Sequence, residues 1–131
     1  MTDHAVSPQR TIDQKRAQQA WENIVTVKNK DLKEYRALVR GAPADIQISG
    51  LGQFLAFLRA KGKPDHCALY EQLREWLAKQ NYFSGNDLLE WISRTATTED
   101  YRRATAEVMS FLMWLKRFAE AELKDNHGSQ Q

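Results

Sequence analysis

The sequence predicts an all-α fold, a compact single domain of five to six helices, with long N-terminal and C-terminal helices around a central apolar helix. Three observations predict it. Apolar residues recur at three- and four-residue steps along most of the chain, and no strand-like alternation interrupts them. Gly and Pro number only 6 and 3 and fall in clusters, too few for the many turns of an all-β fold. With 131 residues, 42% hydrophobic and 27% charged, the chain has one domain's length and ordinary globular composition. The expected organisation is a loose arm at 1–10, a helical domain at 11–124 and a frayed tail at 125–131.

From Thr11, the series Ala17, Ala20, Trp21, Ile24, Lys28, Leu32, Tyr35, Leu38 and Val39 marks one helical stripe. The β-branched run Val25-Thr26-Val27 and Asn29 weaken its middle. One long helix is expected, or two meeting at a kink near Lys28–Lys30. Gly41-Ala42-Pro43 is expected to end it, and Pro43 to open a short helix to Ile48.

The most apolar window follows, Ile46–Leu58. Ser49 is the expected cap of a helix over 50–61. Leu51, Phe54, Leu55 and Leu58 form its buried stripe, widened by Ala56 and Phe57. Gly50 and Gly52 would each cost roughly 1 kcal/mol relative to Ala inside a helix. They mark either a close backbone approach or a cap turn.

Gly62-Lys63-Pro64 breaks the chain, and Asp65 is the expected cap of the next helix. Its stripe is Leu69, Tyr70, Leu73, Trp76 and Leu77. Ser84 with Asp87, and Thr97 with Asp100, have the spacing of capping boxes. Between them lies a short helix with Leu88, Leu89 and Ile92 inward. The last helix, about 99–124, carries a stripe of Tyr101, Ala104, Thr105, Val108, Leu112, Leu115, Phe118 and Ala119. Phe111, Met113 and Trp114 fall off that stripe, which suggests a central helix or an interface.

Catalytic chemistry is not advertised. His4 and His127 lie in the arms, and adjacent His66-Cys67 diverge on a helix, so no metal set converges. His66 is expected at or near the surface and Cys67 as a small buried hydrophobe. Pairs such as Glu71/Glu75 read as wet helix surface. Gly50-Leu51-Gly52 lacks the remainder of a dinucleotide fingerprint. A single cysteine excludes an internal disulfide. No signal-peptide pattern and no apolar run near the ~18 residues of a membrane helix are present, so the expected compartment is the cytoplasm.

Charge distribution is more informative than the net +2. Residues 28–40 hold five basic and two acidic side chains, and residues 59–63 hold three basic and none acidic, a local excess of +3 in each. The candidate nucleic-acid-binding residues are Lys33, Arg36, Arg40, Arg59, Lys61, Lys63, Arg94, Arg102 and Arg103. Such cations meet phosphates without reading sequence. The bland reading is a solvated face laced by weak ion pairs.

Gly50-Leu51 followed by Leu55-Ala56-Phe57, with Pro43 and Ile46 upstream, resembles a signature of the small all-helical subunit of Cmr-type (type III-B) CRISPR effector complexes. Trp114-Leu115-Lys116-Arg117-Phe118-Ala119-Glu120-Ala121 is similar to that family's C-terminal helix, and Arg16, Ala17, Ala20 and Trp21 to its first helix. The resemblance covers about 11–123. Phe54 departs from it, being bulkier than the small residue common there. The resemblance implies a non-catalytic, cofactor-free subunit that stacks with copies of itself. Its implied partners are the subunits coating the guide RNA, the large polymerase-like subunit, and the guide–target RNA backbone. The Csm-type small subunit is the nearest alternative. Two readings from other classes remain. One is a helical protein–protein adaptor resting on Phe111, Met113 and Trp114. The other is a small enzyme using His66 or Cys67.

Overall fold

The computed structural model describes residues 10–124. Six helices follow one another: α1 (Ile12–Lys28), α2 (Tyr35–Ser49), α3 (Leu51–Lys61), α4 (Pro64–Lys79), α5 (Leu88–Arg94) and α6 (Thr98–Glu122). No strand occurs among the described residues. The all-α class holds. The expected arm and tail lie almost wholly outside the described residues.

The long first stripe is divided. Thr11 caps α1 through a capping box with Gln14, and the helix ends at Lys28. Asp31 then adopts a left-handed φ of 56°, a conformation Asp tolerates better than most residues. The Asp65 carboxylate fastens this link by accepting the Glu34 backbone N–H at 2.8 Å. Asp65 therefore does not cap its own helix; Lys63 holds that position and Pro64 fills the first turn, where a missing N–H is harmless.

Pro43 neither ends a helix nor starts one. It sits inside α2. Tyr35, Val39, Ala42 and Ile46 form one buried stripe across it, and a break would forfeit half of that burial. Each large apolar side chain so buried contributes about 1.5–3 kcal/mol, enough together to offset a proline's lost hydrogen bond.

Gly50, not Ser49, occupies the junction of α2 and α3, with a φ of 92° that favours glycine. Of the two readings of the glycine pair, the cap turn applies at Gly50, while side chains rather than another helix's backbone come up to Gly52. Gly50 makes the turn, and the Gly52 N–H donates to the Tyr101 hydroxyl at 3.0 Å, so a long side chain of α6 reaches the α3 backbone. Ser84 makes no capping box; Asp87 caps α5 by accepting the Glu90 N–H. Thr97 and Asp100 do form the expected box.

α6 packs along α1 and α2, and α3 lies between α2 and α4. Leu51, Phe54, Leu55, Leu58, Leu69, Leu73, Trp76, Leu77, Val108, Leu112 and Leu115 fill the core. Off-stripe Phe111 is also core, stacked on Trp76 at 5.0 Å. The buried Tyr35 hydroxyl donates to Gln72 and joins α2 to α4. Burial pushes that phenol well above its ordinary range, outweighing the bond to Gln72.

Candidate nucleic-acid interface

Folding divides the candidate cations among several surfaces. Arg36 and Arg40 lie one turn apart on α2, and Lys33 precedes that helix. All three line one open cleft of about 530 Å³. Arg36 is half-buried and donates to the Glu120 carbonyl at 3.4 Å, while Arg40 is exposed. The far wall comes from other helices, as Phe57 of α3 and His66 of α4. Lys63 joins this neighbourhood, its ammonium 3.9 Å from the Glu34 carboxylate at the rim. Exposed Lys61 lies at the end of α3.

Arg59 turns elsewhere. Its guanidinium makes two bonds to the Asp87 carboxylate, at 2.9 and 3.3 Å, and another to the Tyr70 hydroxyl at 2.9 Å. It also lies over the Tyr70 ring. These partners hold Asp87 down to about 2, the Arg59 bond first, then the Glu90 N–H. Arg94 pairs with Glu90 at 3.9 Å, and Arg102 with Glu99 at 3.3 Å, each within its own helix. Arg103 covers the Tyr82 ring, 5.6 Å from its centroid. These three thus have separate local partners.

A second surface lies on α1 and α6. Trp21 meets Phe118 edge-on at 5.3 Å, and Phe118 meets Trp114 at 5.5 Å. Trp21 is 45% exposed and Met113 48%. Trp21 thus stands at the rim of the stripe rather than within it. The Trp114 indole donates to Asp13 at 3.0 Å, the main cause of that carboxyl's lowered pKa.

Three features escaped the sequence reading. His66 is buried rather than superficial, and Cys67 beside it is exposed rather than buried, so their environments are exchanged. The third is Glu107, buried in α6. It accepts from Arg16 at 2.6 and 2.9 Å, from the Trp76 indole at 2.9 Å and from the Tyr82 hydroxyl at 3.4 Å. Burial pushes its carboxyl up, but these donors, Arg16 first, outweigh it and leave the pKa below the ordinary range. Its helical phase with Ala104, Val108 and Phe111 was the available signal.

Among the described residues, no three His, Cys, Asp or Glu side chains could together hold a metal ion. No described helix is long and apolar enough to cross a membrane.

The family model described as CRISPR-associated protein (Cas_Cmr5) matches residues 12–122. A curated relative, the CRISPR system Cmr subunit Cmr5 of Thermus thermophilus, is 35% identical over 117 residues, 88% of this chain and 99% of that protein. The crystal structure of a CRISPR-associated Cmr5 family protein from Thermus thermophilus superposes with a TM-score of 0.75 at 32% identity. That match covers 88% of this chain and all of the other.

Proposed function

This chain belongs to the CRISPR-associated Cmr5 family, and from that premise we propose that it is a non-catalytic, cofactor-free subunit of a type III-B effector complex that contacts the RNA backbone. It assembles with the subunits that coat the guide RNA, with the large polymerase-like subunit and with copies of itself in a stack. The observation that carries the RNA reading is the gathering of Lys33, Arg36 and Arg40 around one cleft, with Lys63 at its rim. Cations on a shared surface neutralise successive phosphates, and the released counterions make binding salt-dependent. Sequence recognition is left to base pairing, a division of labour known for RNA-guided effectors.

The test replaces Arg40, Lys61 and Lys63 together by Ala in the reassembled complex. Target-RNA affinity is expected to fall, and its dependence on salt to flatten. Unchanged affinity and unchanged slope would make these side chains ordinary solvated surface.

A second reading, a helical adaptor with no nucleic-acid role, is favoured by the exposed Trp21 and Met113 on α1 and α6. It predicts association with a partner subunit that is insensitive to salt and lost on Trp21→Ala.

A further inference from the structure

We propose that the cleft between α2 and the α3–α4 pair receives a single unstacked nucleotide of single-stranded RNA, its base against Phe57 and its phosphate toward Arg40. This deepens the RNA-contact reading and rests on it. A surface that meets only backbone needs cations alone. This cleft offers more. Phe57 is an aromatic side chain left 39% exposed on its wall. The ring is braced by an edge-on contact with His66 at 5.4 Å. A hollow of about 310 Å³ shares Phe57 and Asp45 with the cleft as lining residues.

The chemistry of the walls fits a nucleotide. At about 530 Å³ the cleft falls in the roughly 300–1,000 Å³ range of small-ligand sites. Arg40, with Lys33 and Arg36, supplies positive charge for a phosphate. Asp45 supplies an acceptor for an exocyclic amino group. His66 is buried, and its Nδ1 has no hydrogen-bond partner, an unmet polar demand in the wall. Bases in a duplex are stacked and cannot enter; a splayed base can stack on an aromatic face whatever its identity.

The test measures binding of the full-length protein to a single-stranded oligoribonucleotide and to the matching duplex, by fluorescence anisotropy at fixed salt. Phe57→Leu is expected to weaken single-strand binding by about tenfold while duplex binding stays within twofold. Gly41→Leu is a second route, because Gly41 lines the cleft and a Cβ there meets nothing closer than Asp45 Oδ2 at 3.9 Å. It narrows the cleft from the α2 wall while leaving the Phe57 side chain itself unaltered, and is expected to act in the same direction. Arg40→Ala is expected to weaken both ligands. If Phe57→Leu and Gly41→Leu, both folded by circular dichroism, change neither ligand while Arg40→Ala weakens both, the nucleotide pocket is overturned and the backbone-contact reading stands. If no RNA of either form binds, both readings fail. If a poly-glutamate peptide binds as tightly as the single strand and is insensitive to Phe57→Leu, the cleft is a plain anion site and the inference falls.

Discussion

Glu107 and Asp87 each accept hydrogen bonds from an arginine and a tyrosine, but the Glu107 side chain is 3% exposed and the Asp87 side chain 38%. Glu107 joins α1, α4 and α6 from inside the molecule, through Arg16, Trp76 and its own helix. Asp87 joins α3, α4 and the start of α5 at the surface, through Arg59, Tyr70 and the Glu90 N–H. Similar donors therefore have different consequences. Removing a buried acceptor strands charged and polar groups away from water. Removing an exposed one lets water replace it. For function the difference also matters, since Arg59 is already committed to a protein carboxylate whereas Arg40 faces an open cleft.

The largest expected effect breaks the buried member. Glu107→Ala removes the acceptor that Arg16 and the Trp76 indole share, leaving Arg16 its bond to Asp13 at 3.1 Å, and should cost about 3–5 kcal/mol, read as a lowered urea midpoint. That is a large share of the roughly 5–15 kcal/mol available to a domain. A loss below about 1 kcal/mol would show that water reaches this cluster and that the contrast with Asp87 is false.

Asp87→Ala should cost about 1–2 kcal/mol, mostly through the lost helix cap of α5 rather than the ion pair. Asp87→Asn, which keeps a capping oxygen, should recover most of that loss. Failure of Asn to recover it would assign the stability to the charge.

Acid sharpens the comparison. Asp87 is lowered from 3.8 to about 2, so its contribution is present above pH ~3.8 and is lost as pH falls through about 2. Glu107 is also lowered, from an ordinary 4.5, and its contribution disappears in the same direction. Stability is therefore expected to fall as acid protonates both groups, and Asp87→Asn should flatten the part of that fall due to Asp87. An unchanged profile in the variant would remove Asp87 from the acid response.

The smallest effect concerns Arg59. Arg59→Ala should cost about 0.2–1 kcal/mol and change RNA affinity less than Arg40→Ala does. A larger loss of RNA binding at Arg59 would mean that the guanidinium leaves Asp87 for phosphate in the complex.

Part of the candidate cleft was legible in the sequence, and the reason is local. Arg36 and Arg40 are spaced so that a helix through them presents one basic side, and they line one cleft that Lys33 joins from the link before α2. Phe57 and His66 could not be assigned to it, because they arrive from two other helices. Phe57 read as a widening of the core stripe. Arg59 sits in the same basic run as Lys61 and Lys63, but its partner lies 28 residues away.

By itself the sequence determined the helical class, the capping box at Thr97, and the core positions Leu51, Phe54, Leu55, Leu58, Leu69, Leu73, Trp76 and Leu77. Those follow from the 3.6-residue period and from side chains satisfying their own backbone. Tertiary structure alone decided that α2 runs through Pro43, that Gly52 meets Tyr101, that His66 is buried and Cys67 exposed, and that Glu107 meets Arg16 and Trp76. Each depends on which distant helix comes alongside. Helical periodicity tells which residues share a face, and only packing tells what that face meets.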